Sequence, residues 1–181
     1  MDIKKTANSF VNFTIKRLTE IFGITIFGAG ALLLLALLTY SPEDPNFIFP
    51  ESTKIKNILG FQGSFVSDIF FQSIGLISYF FSFTLIVTGI NIIRNKEFFL
   101  IIENIFFAII YCIFGTLFFA HFYSEAFTLY INGNGGFIGA YLNQAFLNSM
   151  ILINEIISYY FLIILNLFLF LKSVNFHPLK F

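Results

Sequence analysis

Residues able to do acid–base or metal chemistry are few and scattered in this sequence. Glu103 and Glu155 lie near the ends of long apolar runs, His121 and His177 stand alone, and the single cysteine, Cys112, sits mid-run between Tyr111 and Ile113. A carboxylate at a bilayer centre is costly and usually marks a proton or ion pathway. Neither glutamate has the intramembrane basic partner such a pathway uses, so both are expected at interfaces, with Glu155 the better functional outlier. Cys112 has no disulfide partner and no neighbouring metal ligands. Glu43, Asp44 and Glu51 share one connection, but no further ligands follow at a metal-loop spacing, and a solvated helix stop is expected. The glycine cluster at Gly133–Gly136 lacks the Lys and Ser/Thr of a phosphate-binding loop. No zinc spacing, nucleophile elbow or Ser/His/Asp set is present, so neither a catalytic residue nor a cofactor is expected.

The elements that hold these residues are long and apolar. Hydrophobic residues make up 57% of the chain and charged ones 11%, with mean hydropathy +0.86 and 29 phenylalanines. Four runs, about 21–40, 69–93, 98–120 and 150–171, are each long enough to cross a hydrocarbon core of about 30 Å as a helix. Only helices and closed barrels satisfy every backbone group in lipid, and Ala31-Leu-Leu-Leu-Leu-Ala-Leu-Leu38 lacks the alternation of a barrel strand. The expected fold is an all-α membrane protein with four transmembrane helices and short amphipathic interfacial helices. Ala29-Gly30-Ala31 resembles a signal-peptide cleavage site, but apolar sequence continues to Leu38, so the first run is expected to be retained.

Charge sets the expected orientation. Lys4, Lys5, Lys16, Arg17, Arg94, Lys96, Lys172 and Lys180 flank one side of the runs, against Lys54 and Lys56 on the other. By the positive-inside rule both termini are expected in the cytoplasm. Residues 1–20 have apolar positions at helical spacing among basic ones, as in an interfacial segment; 21–172 form the membrane domain and 173–181 a cytoplasmic tail. Net charge is zero, which gives no reason to expect nucleic-acid contact. Ser41-Pro-Glu-Asp-Pro45 ends the first span, since two prolines three residues apart cannot continue a helix. Residues 57–68 suggest a short helix feeding the second span. In the other outer loop, Ile138, Tyr141, Leu142, Ala145 and Phe146 form an apolar face expected to lie flat or dip between helices.

Packing positions follow from residue size. Thr25, Ala29 and Ala36 share a face of the first span, and Gly75 and Gly89 indent the second, as helices associating in lipid require. Such a face serves either packing within one chain or self-association. Thr84, Thr88, Asn91 and Asn166 can hydrogen-bond between helices.

Taken in order, several of these pieces resemble the N-terminal four-helix membrane region of FtsK-type septal DNA translocases. Ser41-Pro42-Glu43-Asp44-Pro45-Asn46-Phe47 resembles the family's S-P-x-D-P-x-aromatic exit from its first helix. Asn57-x-x-Gly60-x-x-Gly63-x-x-x-x-Asp68, with Gly75 and Tyr79, resembles the entry to the second, and Gly133-x-Gly135-Gly136-x-x-Gly139 the glycine cluster before the fourth. The resemblance covers roughly 17–172. It implies an inner-membrane anchor at the bacterial division septum that self-associates and contacts other division proteins. In the family a hexameric ATPase pumps DNA; no Walker motif lies within these residues, so this chain is expected not to move DNA itself. The alternative from another class is a small transporter or channel subunit using Glu155, Asn166 and the Gly133–Gly136 loop.

Overall fold

A computed structural model describes residues 3–45, 54–124 and 132–175. Glu51, His177 and Lys180 lie outside the described residues. The helices, in chain order, are α1 (Ile3–Leu38), α2 (Gly60–Ile74), α3 (Ser78–Asn95), α4 (Leu100–Phe122), α5 (Gly136–Asn143), α6 (Phe146–Ile153) and α7 (Glu155–Ser173), with a 3₁₀ turn at Gly75–Ile77. Four stretches are long and apolar enough to cross a membrane: within α1, across α2–α3, in α4 and in α7. The chain is an all-α membrane protein, with four such segments among the described residues.

Successive spans run antiparallel: residues 23, 30 and 37 of α1 lie beside residues 89, 86 and 79, Thr84 and Thr88 beside Tyr111 and Asn104, and Asn104 beside Asn175. The end of α7 and the α3–α4 connection therefore lie at one end of the bundle, here the basic end, together with Glu20 of α1; the turn at residues 41–45 and the segment 132–136 lie toward the other, here the loop end. The α1–α3 pair makes the most extensive contact among the described elements, and Gly23, Gly30 and Gly89 bring the two backbones together. A Cβ on Gly30 would stand 2.8 Å from the Ile86 nitrogen, and one on Gly89 2.5 Å from the Phe27 nitrogen. Thr19, Gly23, Gly30, Leu33 and Leu37 are buried along this stripe.

The expected small-residue face divides. Thr25 and Ala29 are exposed, with the Thr25 hydroxyl bonded to its own helix at Ile21 O (3.0 Å), whereas Ala36 is buried. On α3 the contact is made at Gly89, a position singled out by sequence, whereas on α1 it is carried by Gly23 and Gly30 rather than by Thr25 and Ala29.

Element boundaries also differ in three places. α1 runs unbroken through residues 20 and 21, so the basic segment and the span are one helix. At about 1.5 Å per residue, 20 residues counted back from Leu38 reach Thr19, and the preceding turns extend beyond the basic end. The second span breaks at Gly75. The fourth begins at Glu155, because Asn154 adopts an extended conformation (φ −154°) and caps α7 by accepting from Ile157 N at 3.1 Å.

Candidate functional site

The family-like motifs converge on two joints at the loop end. In the first, α1 stops and α2 starts. A helix end leaves carbonyls without partners, and in lipid each must find one. Leu35 O accepts from Thr39 N (3.1 Å) and the Thr39 hydroxyl (2.8 Å), Ala36 O from Asn57 Nδ2 (2.9 Å), and Leu37 O from the Tyr79 hydroxyl (3.3 Å). Asp44 is buried within the turn that begins at Ser41, where Asp44 N donates to Ser41 O at 3.1 Å. Its two carboxylate oxygens accept from Lys56 N and Asn57 N, each at 2.8 Å. Those bonds close the loop that Pro42 and Pro45 open. Ser64 Oγ donates to Pro45 O (3.0 Å), and the Tyr40 hydroxyl donates to buried Asp68 (3.1 Å).

Asn57 is the hub of this joint. Besides capping α1, its Oδ1 accepts from Leu59 N at 3.1 Å, and its backbone carbonyl accepts from Gly60 N at 2.9 Å. A Cβ on Gly63 would collide with Asn57 Oδ1, which explains the glycine there, and Gly60 has φ +68°, a conformation that favours glycine.

The second joint is the break in the second span. Gly75 has φ +62°, a conformation L side chains resist. Any Cβ there would fall on the Asn134 carbonyl. That carbonyl accepts from Leu76 N (2.9 Å); Ser78 Oγ donates to Gly75 O (2.6 Å), and Asn132 Nδ2 donates to Gln72 O (3.3 Å). Gly136 (φ +64°) lies so close that its Cβ would stand 2.7 Å from the Gly75 and Ile74 nitrogens. Gly135 and Gly139 abut Thr116 O and Ala120 of α4. The loop therefore dips between helices. Contrary to the expected apolar face, α5 buries its glycines and turns Phe137 and Tyr141 outward, because only the glycines fit against α4.

Toward the basic end, a buried polar seam joins α3, α4 and α7. Thr84 bonds both the Tyr111 hydroxyl and Ser173 Oγ (3.0 Å each), and Asn104 Nδ2 donates to Thr88 (2.8 Å). Asn91 Nδ2 reaches Val174 O (3.1 Å), and Asn175 Nδ2 reaches Asn104 Oδ1 (2.7 Å). Asn166 differs: it bonds Leu162 O within its own helix (2.7 Å). Glu20 ties the α1 stripe to the α3–α4 turn, pairing with Arg17 (2.6 Å) and with Lys96. Neither Glu20 nor Asn57 nor Asn134 stood out as a site residue by sequence, although Asn57 lies within the second motif.

The ionisable outliers do not come together. Glu103 and Glu155 are exposed in the first turns of α4 and α7, where a carboxylate favours the helix dipole. His121 shares a hydrogen bond with Asn143 of α5 (3.1 Å). Among the described residues, no three of His, Cys, Asp and Glu meet in a way that could hold a metal ion. The chemistry these joints perform is the closing of helix ends and breaks inside a membrane.

A family model described as the 4TM region of DNA translocase FtsK/SpoIIIE matches residues 15–180. The chain belongs to this family. Both joints and the polar seam lie within the matched region. The chain is 32% identical over 94 residues to a DNA translocase FtsK of Rhizobium meliloti (strain 1021), covering 51% of this chain and 11% of that protein. Against a DNA translocase FtsK of Caulobacter vibrioides it is 39% identical over 68 residues, 38% of this chain and 8% of the relative. The matched stretch is thus about a tenth of the length of those FtsK proteins. No solved structure matches.

Proposed function

We propose that this chain is the membrane-anchoring, self-associating module of a DNA translocase acting in cell division and chromosome segregation. The observation that carries the reading is the 4TM-family match over 15–180, laid on four membrane-length helices. Its partners are then the lipid bilayer, further copies of itself, and division proteins at the septum of the bacterial inner membrane, with both termini cytoplasmic. Exposed Thr25 and Ala29 support self-association, since small residues outside the α1–α3 contact leave room for a second backbone. On this reading these residues neither hydrolyse ATP nor contact DNA. Fused to a fluorescent protein in dividing cells of its host, the chain is expected to concentrate at the division site; an even distribution around the membrane would overturn the septal reading. DNA-stimulated phosphate release by the purified chain would overturn the non-enzymatic one.

A transporter or channel subunit is the second reading, and the break at Gly75 is what favours it, because discontinuous helices line transport sites. Against it, the groups freed at the break are bonded by Ser78, Asn132 and the Asn134 carbonyl. Glu103 and Glu155 lie away from it, near the ends of their own helices.

A further inference from the structure

Asn166 interrupts an apolar stretch midway along α7, and half of its amide is unpartnered. Its Nδ2 donates to Leu162 O, one turn back in the same helix. A carbonyl only accepts, so the amide nitrogen must face it, which fixes the amide orientation. The other atom, Oδ1, is buried with no hydrogen-bond partner. It lies beside Gly115 of α4, where a Cβ would stand 3.1 Å from it and 2.5 Å from the Ile77 side chain.

Gly115 and Asn166 are walls of one cavity of about 130 Å³ between α4, α7 and the break in the second span, and its remaining lining is apolar and aromatic. Tyr111 lines it too, but its hydroxyl is bonded to Thr84. Phe80 and Leu167, also in the lining, are exposed, which leaves a way in from the lipid. Two physical facts narrow the occupant. A buried water needs two to four polar partners and would find a single acceptor here, whereas apolar cavities of about 150 Å³ take up benzene. An unpaired acceptor in an apolar chamber calls for one donor on an apolar body.

We propose that this cavity binds a phenol-type molecule dissolved in the membrane, with its ring among Phe118, Phe119 and Ile77 and its single hydroxyl donating to Asn166 Oδ1. The site is independent of the septal role and of self-association. Gly115 is then the residue that keeps the chamber open, and Asn166 the one that selects the hydroxyl.

The test uses the whole chain in lipid nanodiscs, with ¹⁹F NMR titrations of 4-fluorophenol and of 4-fluorotoluene, which has a similar ring and no donor. Empty nanodiscs report simple partitioning. Saturable, protein-dependent binding of 4-fluorophenol is expected, with 4-fluorotoluene about fivefold weaker, the equivalent of one net hydrogen bond. In Asn166→Leu the two rings should bind alike. Equal affinities in the wild type, no binding beyond empty discs, or a hydroxyl preference that survives in Asn166→Leu would each overturn the proposal. The two-ring comparison on the wild type decides the matter even if the variant does not fold.

Discussion

Asp44 shows how one side chain holds a membrane-edge loop. It is buried, and both its oxygens accept backbone N–H groups from residues 56 and 57, beyond the two prolines. Bonds to a charged acceptor contribute about 1.5–3 kcal/mol each, so Asp44→Ala should lower stability by about 3 kcal/mol, and Asp44→Asn by less because one acceptor oxygen remains. Thermal unfolding in detergent checks this; equal effects of the two variants would mean that the carboxylate is not the clasp. Its neighbour Glu43 behaves otherwise. It is exposed, and the hydrogen bond and charge of Lys56 hold its carboxyl below the ordinary carboxylate range. Its stabilisation is therefore present above the unfolded carboxylate's value and lost as pH falls through the lower folded one. Glu43→Gln should be slightly less stable than wild type at neutral pH and equal to it in acid, and salt should erase the difference. A gap that persists in high salt would contradict this. The carboxylates were legible in sequence as a helix stop, but as a solvated one; Glu43 is exposed, whereas Asp44 is buried because the backbone N–H groups of residues 56 and 57 take the place of water. Asn57 was not legible, because an amide that bonds a helix carbonyl 21 residues away leaves no local pattern.

Among the elements, the glycine joint at Gly75 and Gly136 makes the sharpest mutational prediction. Each combines a positive φ with a backbone where a Cβ would sit. The conformational cost of an L residue there is about 1–2 kcal/mol before any collision is counted. Gly75→Ala and Gly136→Ala should each destabilise by more than 2 kcal/mol, roughly, and the double variant by less than the sum, because both disturb one contact. Full additivity would mean that the two glycines act separately. On α1, Gly30→Leu should separate α1 from α3 and destabilise the single chain, whereas Ala29→Leu, on the exposed side, should leave the chain folded and weaken crosslinking between copies. Loss of monomer stability in Ala29→Leu with crosslinks unchanged would place that face inside the protomer. The span count was readable from hydropathy alone, since lipid admits few alternatives. The break at Gly75 was not, because Phe70 to Ile77 carries neither a charge nor a proline to stop a helix. What breaks the helix is the carbonyl of Asn134, nearly 60 residues on, and sequence spacing cannot show that encounter. The choice between Ala29 and Gly30 likewise turned on one helical step, which composition does not fix.

At the scale of the whole molecule, the described elements make a bundle with two unlike ends. Arg17, Arg94, Lys96 and Lys172 mark the basic end, and the two joints occupy the other, where Lys54 and Lys56 lie beside the Asp44 turn. The proposed anchoring role would use this division, with one end turned to the cytoplasm and the other facing across the membrane. The proposed orientation puts the basic end in the cytoplasm, as the asymmetry of Lys and Arg favours. The most direct test is cysteine accessibility in intact cells, in a Cys112→Ser background, with Lys54→Cys and Lys172→Cys probed by a membrane-impermeant thiol reagent. Lys54→Cys should react in intact cells and Lys172→Cys only after permeabilisation. Reaction of Lys172→Cys in intact cells, alone or together with Lys54→Cys, would contradict the four-span anchor with its basic end inside.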